Sequence, residues 1–489
     1  MSQRIEVDVA VIGAGTAGLA AYRAAAAVTP RAVVIEAGPH GTTCARVGCM
    51  PSKLLIAAAE AAEHARTAAP FGVTAEVTID GKAVMDRVRR ERDRFVGFVL
   101  EGVEKIPDEH KLHGRARIVA PGKLEVALTS GGTAEITARS IVIATGSSPF
   151  VPAVFEGLKG RLVLNDDVFQ WESLPKSVVV FGAGVIGLEL GQALARLGVR
   201  VRVFGKSGTL GGITDPVVKQ AALEAFRREL VIDTDAKVHE VVKGGDGVVV
   251  RFDDLDGNER SETFEYALVA AGRKANLEGL GIENAGLELD SRGVPRFDRT
   301  TLLARAATSP SGKAVVPVFL AGDVNDDVPL LHEAADEGRI AGENAARFPN
   351  VKPGLRRSLL AITFSEPQLS IVGASYQTLT SVDGKKEGVD FVTGTIDFTD
   401  QGRSRVMLQN HGKARVYADA KTGRFLGAEL AGPRVEHIGH LLAWAHQQEL
   451  GIAEMLQMPF YHPVVEEGLR TALRDANAKL AQKKEEKTK

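Results

Sequence analysis

Two segments of the chain repeat one pattern: a strand-like run, the glycine spacing GxGxxG and a helix-like run. The glycines stand in VDVAVIGAGTAGLAAYRAAAAV (Gly13, Gly15 and Gly18) and in SVVVFGAGVIGLELGQALARLG (Gly182, Gly184 and Gly187). In a βαβ unit such glycines allow a tight turn, close approach of the backbone to a pyrophosphate, and close packing of the helix on its strand. A single GxGxxG also occurs as an ordinary turn between strand and helix. Two copies, each followed by another strand-like run, predict two dinucleotide-binding units.

The two units differ at the position that contacts the nucleotide ribose in this type of fold. Eighteen residues after Gly18 stands Glu36, whose carboxylate can accept hydrogen bonds from a ribose diol. Eighteen residues after Gly187 stands Gly205, followed by Lys206. Without an acid to repel a ribose 2′-phosphate, the second unit can admit NADP as well as NAD. A surface lysine without a ligand is an equally good explanation of Lys206.

Three further strand-like runs end in small or acidic residues. They are IVIATGSSP at 141–149, with Thr145 and Gly146, LVAAGRKAN at 268–276, with Gly272, and VFLAGDV at 318–324, with Asp323. In an open α/β sheet, ligands bind at the carboxyl ends of the strands. Each run alone is weak evidence. Together with the glycine motifs they outline two nucleotide sites, which suggests a flavin beside a nicotinamide.

Length and changes of pattern predict three domains and a tail. At roughly 100–200 residues per domain, the 489 residues suffice for about three. We predict a first nucleotide-binding domain over 1–150, completed by 277–349, and a second over 151–276. A C-terminal domain over 350–475 and a flexible, charged tail over 476–489 follow. The predicted fold class is α/β, with two doubly wound, Rossmann-like domains and a third α/β domain that has no phosphate loop.

The chain has only two cysteines, Cys44 and Cys49, five positions apart in GTTCARVGCMPSK. In a regular helix the Cα atoms at that spacing are roughly 8–9 Å apart, beyond the ~7 Å that a disulfide tolerates. A disulfide therefore requires a distorted first turn or a Cys44 in the preceding loop, and Gly48 relaxes the backbone there. A small, strained ring at a helix N-terminus favours redox chemistry over a structural role. Two buried, unlinked cysteines and a zinc site are the alternatives, although no further cysteine or paired histidine is available for zinc.

A dithiol mechanism needs a base, because a thiol with a pKa of about 8.5 is only a few per cent ionised at neutral pH. Among eleven histidines, His462 stands out in FYHPVVEEGLR, with Glu467 five residues further on at the start of a predicted helix. A carboxylate so placed can hold the imidazole tautomer and stabilise its cation. A surface histidine near a helix start has the same spacing, so the pattern alone leaves the role open.

Composition excludes some classes of partner. The formal net charge of −2 provides no overall field that attracts polyanions, so nucleic acid is not an expected partner. No apolar run is long enough to cross a bilayer, and a strand pattern begins too early for a secretory signal. We therefore expect a cytoplasmic protein that acts away from membranes. In that compartment a cysteine pair is more often redox-active or metal-binding than a structural link.

Taken in order along the chain, these motifs resemble those of the class I pyridine nucleotide-disulfide oxidoreductases. The cysteine motif, both glycine motifs, IVIATG, FLAGDV, TFSEPQLSIVG and HPVVEE occur in the order of the family between Ile5 and Ala472. The cysteine motif and the His-Pro…Glu motif are the most specific of them. Within the family, the chain is most similar to the dihydrolipoamide dehydrogenases.

The resemblance implies a homodimer with FAD in the first domain, NAD in the second (NADP not excluded) and dimerisation by the third. It implies that Cys49 lies next to the flavin and Cys44 exchanges with the substrate, while His462, supported by Glu467, acts as acid and base across the dimer interface. Lys53 is implied to lie near the reactive edge of the flavin and to pair with Glu189. The implied FAD residues are Gly13, Gly15, Gly18, Glu36, Lys53, Thr145, Gly146 and Asp323. The implied NAD(P) residues are Gly182, Gly184, Gly187, Glu189, Lys206 and Gly272, and no metal site is implied.

The implied reaction passes electrons from a small dithiol or a lipoyl domain through the cysteine pair and FAD to NAD⁺. Two alternatives are an NADPH-dependent disulfide reductase of the glutathione-reductase type and a docking subunit of a 2-oxoacid dehydrogenase complex. Three positions depart from the family pattern. Thr42 replaces a usual glycine, Tyr461 a usual small residue, and Gly205 the acid that is usual in dihydrolipoamide dehydrogenases. These departures bear on substrate and nucleotide preference.

Overall fold

The computed structural model describes residues 3–307, 316–381 and 389–488. The strands are β1 (Gln3–Ile12), β2 (Ala32–Glu36), β3 (Lys111–Ala120), β4 (Lys123–Leu128), β5 (Thr133–Ile143), β6 (Ser147–Pro149), β7 (Leu162–Val163), β8 (Ser177–Phe181), β9 (Arg200–Phe204), β10 (Val231–Asp233), β11 (Val238–Gly244), β12 (Gly247–Asp253), β13 (Glu259–Phe264), β14 (Tyr266–Val269), β15 (Arg273–Ala275), β16 (Val318–Leu320), β17 (Leu360–Thr363), β18 (Gln368–Gly373), β19 (Phe391–Asp397), β20 (Lys413–Asp419) and β21 (Phe425–Gly432). The helices are α1 (Thr16–Ala26), α2 (Thr43–Val47), α3 (Cys49–Arg66), α4 (Gly81–Glu104), α5 (Asn165–Val168), α6 (Val185–Arg196), α7 (Pro216–Phe226), α8 (Leu331–Arg347), α9 (Tyr376–Thr380), α10 (Gly402–Val406), α11 (Val435–Gln447), α12 (Ile452–Met455) and α13 (Glu467–Thr488).

The chain divides into two compact units. The first comprises Met1–Pro51, Arg87–Phe150 and Gly272–Arg356. The second comprises Ser52–Asp86, Val151–Ala271 and Arg357–Lys489. Each unit contains one parallel sheet of the kind that the glycine motifs predict.

The sheet of the first unit has parallel strands in the order β3-β2-β1-β5-β16, and β4 pairs antiparallel with β3 and β5. The last four residues of β1 and of β5 are all buried, as in a sheet that is covered on both faces. Helix α1 packs on α8, where Gly338 and Gly342 approach the carbonyls of Ala17 and Ala21 too closely for a side chain. This close packing fixes the position of α1, and therefore also that of the glycine loop that connects β1 to α1.

The parallel sheet of the second unit has the order β10-β9-β8-β14-β7. An antiparallel meander, β11-β12-β13, precedes β14 in the chain. The rings of Phe204 on β9 and Phe252 on β12 lie 4.8 Å apart between centroids, within an apolar core that joins the meander to the sheet. Helix α6 follows β8, so the second glycine loop occupies the same place as the first.

The second unit also contains an antiparallel sheet in the order β17-β18-β21-β20-β19. Helices α11 and α13 pack on this sheet over a common apolar core. Buried and more exposed residues alternate along the first part of β19 and of β20, whereas β21 is buried along nearly its whole length, and α7 also packs on β20 and β21. This region carries the third α/β fold that the sequence predicts after residue 350.

Residues 476–489, predicted as a flexible tail, instead extend α13 as far as Thr488, and residue 489 lies outside the described residues. Ala476 and Leu480 are buried in the core of the antiparallel sheet. The prediction was wrong because it weighed the charges and overlooked two apolar residues four positions apart, which continue one buried face of the helix.

Candidate active site

The first glycine loop connects β1 to α1. Gly13 has a φ of 104°, and its N–H donates to the carbonyl of Ile35 at 2.7 Å. A Cβ atom on Gly13 would overlap the carbonyl of Ala144, and one on Gly18 would overlap the carbonyl of Gly13. A Cβ atom on Gly15 would meet no described atom within 4 Å. Backbone packing therefore requires the first and third glycines, and the second leaves the open approach that a pyrophosphate needs.

The second glycine loop, between β8 and α6, repeats these contacts. Gly182 has a φ of 122°, and its N–H donates to the carbonyl of Phe204 at 2.7 Å. Its Cβ position is blocked by the carbonyl of Ala270, and that of Gly187 is blocked by Gly182. A Cβ atom on Gly184 would meet no described atom within 4 Å. The sequence repeat is thus also a repeat of backbone geometry, and both loops fit a dinucleotide.

Glu36 ends β2 beside the first glycine loop. Its carboxylate accepts the N–H of Ala14 at 2.6 Å and the N–H of Gly38 at 2.8 Å. These two bonds hold an acid at the carboxyl edge of the sheet, where a nucleotide ribose lies in this type of fold. The open glycine loop, the N-terminus of α1 and this fixed acid fit the adenosine diphosphate part of FAD.

Two of the strand ends singled out in the sequence lie together, because β6 and β15 pair antiparallel. The hydroxyl of Thr145 donates to the carbonyl of Asn276 at 2.7 Å, and the Asn276 amide donates to the carbonyl of Thr145 at 3.0 Å. Gly146 has a φ of 68° and an open Cβ position. Thr145 therefore holds the segment after β5 against the segment after β15, while Gly146 permits the turn after β5.

Asp323 follows β16 and belongs to a hydrogen-bonded chain that the sequence did not predict. Its Oδ2 accepts from the hydroxyl of Ser147 at 2.8 Å, and that hydroxyl accepts from Nε of Arg273 at 2.8 Å. The N–H of Gly322 donates to Glu337 at 2.7 Å, and burial raises the pKa of Glu337. Ser147 and Arg273 stand in the very runs that the sequence singled out, which was the available signal. Their pairing joins residues 126 positions apart, so it could not be read locally.

The cysteines occupy two different helices. Cys44 lies in α2, and Cys49 is the first residue of α3. Gly48 separates the helices with a φ of −125° and a ψ of −113°, and a Cβ atom on it would lie 3.2 Å from Cα of Cys44. Cys44 is half-buried and Cys49 is exposed. The helix is therefore broken between the cysteines, with Cys44 in its own short helix rather than in the preceding loop, and Cys49 has the helix N-terminus that favours a thiolate.

Thr42, a departure from the family pattern, has an unusual backbone. Its φ of 59° and ψ of 149° lie in a region that is essentially reserved for glycine. Its hydroxyl accepts the N–H of Ala45 at 3.3 Å, and its carbonyl accepts the N–H of Arg46 at 3.1 Å. A strained residue thus caps the short helix that carries Cys44.

Lys53 and Glu189 form an ion pair inside the second unit. Nζ of Lys53 lies 2.9 and 2.7 Å from the two oxygens of Glu189, whose side chain is only 5% exposed. The backbone N–H of Phe364 donates to the same carboxylate at 2.9 Å, and Nζ of Lys53 lies 4.5 Å from the centroid of the Phe364 ring. The pair fixes a positive charge on α3, four residues after Cys49.

His462 and Glu467 are also in contact. Nδ1 of His462 lies 3.2 and 3.1 Å from the two oxygens of Glu467, and the N–H of Val464 donates to Glu467 at 3.3 Å. The hydrogen bond with His462 lowers the pKa of Glu467 below its ordinary value. The side chain of His462 is 81% exposed. The carboxylate therefore engages one ring nitrogen and leaves Nε2 facing outward.

Three positions that bear on the nicotinamide nucleotide remain: Gly205, Lys206 and Gly272. Gly205 packs against the backbone of Thr234, and Lys206 is exposed. Gly272 has a φ of 111° and begins the last segment of the first unit, although the sequence prediction assigned it to the second nucleotide domain.

The first unit thus contains its glycine loop, Glu36 and the hydrogen-bonded series that includes Asp323. The second unit contains its own glycine loop, the Lys53–Glu189 ion pair and the His462–Glu467 pair. Over the described ranges, no group of three or more His, Cys, Asp or Glu side chains is placed to hold a metal ion. No helix in those ranges has the length and apolar composition needed to cross a membrane.

Comparison with family models gives two matches that cover most of the chain. The model described as "Pyridine nucleotide-disulphide oxidoreductase" matches residues 7–338. The model of the dimerisation domain of the same group matches residues 360–473.

Individual proteins show the same likeness. The chain is 30% identical over 492 residues to a dihydrolipoyl dehydrogenase of Rhizobium etli, covering 96% of this chain and 98% of the relative. The solved structure of LpdA from Mycobacterium tuberculosis superposes with a TM-score of 0.78 at 24% identity, covering 96% of this chain and 99% of that one. RclA, an HOCl-induced flavoprotein disulfide reductase from Escherichia coli, superposes with a TM-score of 0.75 at 22% identity, covering 96% and 99%. These matches confirm the predicted fold class of two Rossmann-like domains and a C-terminal α/β domain.

Proposed function

Since the chain belongs to the pyridine nucleotide-disulphide oxidoreductase family, whose members use FAD and NAD(P) to act on sulfur groups, we propose that it oxidises dihydrolipoamide or a lipoyl domain. The observation that carries the proposal is the break between α2 and α3. It puts Cys44 and Cys49 on separate helices and gives Cys49 a helix N-terminus. A pair held in this way suits thiol exchange better than structural cross-linking.

The chemistry at the cysteines is a thiol–disulfide exchange. In the oxidised enzyme Cys44 and Cys49 are joined, and one thiolate of the substrate attacks Sγ of Cys44, which releases Cys49 as a thiolate. The second substrate thiolate then attacks the substrate sulfur of this mixed disulfide, releasing Cys44 and the oxidised substrate. The substrate loses two electrons and two protons, and the cysteine pair gains the two electrons. The N-terminus of α3 stabilises Cys49 as the leaving thiolate.

His462 is the proposed base. Because Glu467 engages Nδ1, the other ring nitrogen is available to accept the proton of the substrate thiol. Lys53, held by Glu189, provides a fixed positive charge at the proposed flavin site. FAD, when bound, supplies the two-electron acceptor that connects the reduced cysteines with the nicotinamide.

The residues proposed to hold the cofactors are those of the two glycine loops and the strand ends. For FAD they are Gly13, Gly15, Gly18, Glu36, Thr145, Gly146 and Asp323, and for the nicotinamide nucleotide Gly182, Gly184, Gly187, Lys206 and Gly272. We further propose that the enzyme works in the cytoplasm, where a lipoyl domain of a 2-oxoacid dehydrogenase complex would be a substrate.

The match to a dimerisation domain over 360–473 indicates a homodimer. In that region Trp444 is 69% exposed and Tyr461 81%, and Leu441 and Met458 are exposed as well. Exposed apolar and aromatic side chains so close in sequence mark a surface for protein contact. We propose that this surface contributes to the dimer interface and that His462 of one subunit serves the cysteine pair of the other.

Mixed dimers test this arrangement directly. Cys49→Ser and His462→Gln are each expected to inactivate the homodimer. If His462 acts across the interface, random exchange of the two inactive variants gives heterodimers with one intact site, and about a quarter of wild-type activity returns. If His462 acts within its own subunit, no site is intact and no activity returns.

The proposed reaction is tested by turnover of free dihydrolipoamide with each nicotinamide nucleotide, beside reduction of glutathione disulfide and other disulfides. Cys44→Ser and Cys49→Ser are expected to stop turnover, whereas Thr43→Ser, an exposed neighbour, is expected to retain it. Wild-type turnover in either cysteine variant would refute the dithiol route. Efficient reduction of disulfides without dihydrolipoamide oxidation would favour the second candidate, an NADPH-dependent disulfide reductase, which the glycine at position 205 also favours.

A further inference from the structure

The loop after β9 corresponds to the place where a βαβ unit contacts the ribose of its nucleotide. Its role rests on the proposed function, in which this unit binds the nicotinamide nucleotide. In a βαβ unit, an acid at the end of the second strand binds the ribose 2′-hydroxyl of NAD, and a nearby cation accommodates the 2′-phosphate of NADP. In this chain the corresponding residues are Gly205 and Lys206.

Position 205 cannot carry an acid without displacing its neighbours. A Cβ atom on Gly205 would lie 2.8 Å from both Cα and the carbonyl oxygen of Thr234. The N–H of Gly205 donates to the carbonyl of Asp233 at 2.6 Å, and its carbonyl accepts the N–H of Ala236 at 3.2 Å. The end of β9 is therefore fastened along the segment after β10, and glycine is the residue that fits.

The first unit shows what is missing from the second. There Glu36 accepts the N–H of Ala14 in the glycine loop at 2.6 Å. The equivalent residue of the second loop is Ala183, and no side chain in the described ranges accepts from its N–H. The second unit therefore has neither the acceptor for a ribose diol nor the negative charge that repels a 2′-phosphate.

Next to this position stand a cation and a hydroxyl that face solvent. Lys206 is exposed and forms no ion pair with any residue that the structure describes. Ser207, with a φ of 56°, is exposed too, and its N–H donates to Asp235 at 2.9 Å. The N–H of Gly208 donates to the carbonyl of Thr234 at 3.0 Å, so the loop is held on both sides.

The two cations on β9 are engaged. Arg200 and Arg202 on β9 both pair with Glu262, at 2.9 and 2.6 Å. Asp235 accepts the N–H of Ser207 and thereby holds the loop that presents Lys206. The ammonium group of Lys206 and the hydroxyl of Ser207 are left to donate to a doubly charged phosphate, which is a charge-assisted interaction.

We infer that the nucleotide site of the second unit takes NADPH in preference to NADH, with Lys206 as the contact of the 2′-phosphate. A charge-assisted hydrogen bond at an exposed position corresponds to a preference of about tenfold. Because the contact is exposed, the preference falls as ionic strength rises.

Calorimetric titration of the FAD-loaded enzyme with NADP⁺ and NAD⁺ measures the preference without any disulfide substrate. The wild type is expected to bind NADP⁺ about tenfold more tightly than NAD⁺. Lys206→Gln is expected to remove most of that difference by weakening NADP⁺ alone. Lys159→Gln, which removes an exposed positive charge elsewhere in the same unit, is the matched control and is expected to leave both affinities unchanged.

Asp235→Asn gives a second measurement. Removing the negative charge that contacts this loop, while keeping an amide oxygen for the Ser207 N–H, is expected to strengthen NADP⁺ binding further. A wild type that binds NAD⁺ as tightly as NADP⁺, or a Lys206→Gln variant that weakens both equally, would overturn the inference. If neither NADP⁺ nor NAD⁺ binds, and neither NADPH nor NADH reduces the FAD-loaded enzyme, the proposed function itself is contradicted instead.

Discussion

Thr42→Gly is expected to stabilise the protein although it removes a helix cap. Thr42 has a φ of 59° and a ψ of 149°, and a side chain in such a region costs about 1–3 kcal/mol. Its hydroxyl accepts the N–H of Ala45 at 3.3 Å, but replacing a threonine cap by glycine costs only about a few tenths of a kcal/mol. The greater freedom of glycine in the unfolded chain costs a further ~0.5–1 kcal/mol. The expected net gain is about 1 kcal/mol.

Thermal unfolding of the FAD-saturated protein at a fixed FAD concentration measures this gain, since ligand binding shifts apparent stability. A gain of about 1 kcal/mol raises Tm by about 2–4 °C for a large domain. Ser375→Gly is the matched control, because Ser375 also caps a short helix, accepting the N–H of Thr378 at 3.1 Å, but has a φ of −74°. Ser375→Gly and Thr42→Ala are both expected to lower Tm. A Tm of Thr42→Gly below that of the wild type would refute the strain at this position.

Three further predictions concern single side chains. His462→Gln is expected to lower kcat by about 10²–10⁴, the usual contribution of a positioned acid or base; a wild-type rate in stopped-flow and steady-state assays would remove His462 from the site. Lys53→Met leaves the buried carboxylate of Glu189 without its cation. It is expected to lower the free energy of unfolding by about 1–3 kcal/mol, a range reduced from that of a fully buried pair because the Lys53 side chain is 33% exposed. The double variant Lys53→Met with Glu189→Leu should recover most of that loss. Hydrogen bonds from Thr300 and Thr301 lower the pKa of Asp298 from its ordinary 3.8 to about 2, and the hydroxyl of Thr300 makes the largest contribution. The ionised carboxylate therefore stabilises the fold above about pH 4, and this stabilisation is lost as the pH falls towards 2. The Tm difference between Asp298→Asn and the wild type should therefore shrink below about pH 4, and a difference independent of pH would contradict the linkage.

The fold class could be predicted from the sequence because its signals are local. Each strand-like run of valine and isoleucine, and each GxGxxG motif, lies within a few tens of residues. The matched family models and the superposition on LpdA confirm the two nucleotide folds and the third domain. The tail after residue 475 was mispredicted because charge was weighed above the spacing of Ala476 and Leu480, which bury one face of α13.

Part of the candidate site could be predicted in the same way. The five-residue spacing of Cys44 and Cys49 predicts that a disulfide needs a distorted first turn or a Cys44 in the preceding loop; the structure places Cys44 in the short helix α2, which ends at Gly48 before α3 begins. The five-residue spacing of His462 and Glu467 allowed a contact, which the structure contains. Both are local relations, in which the chain between the two residues is too short to leave many arrangements open.

The amino-acid sequence by itself determined which chemical groups are available and in what order, together with the local breaks and turns that separate them. Only the tertiary structure decided which distant groups meet: the Phe364 N–H on the carboxylate of Glu189, and the Ser147 hydroxyl on Asp323. It also decided that the backbone of Thr234 leaves room only for glycine at position 205. These contacts depend on the packing of strands and helices that are far apart in the chain, and packing of this kind is set by the whole core rather than by any short stretch of residues.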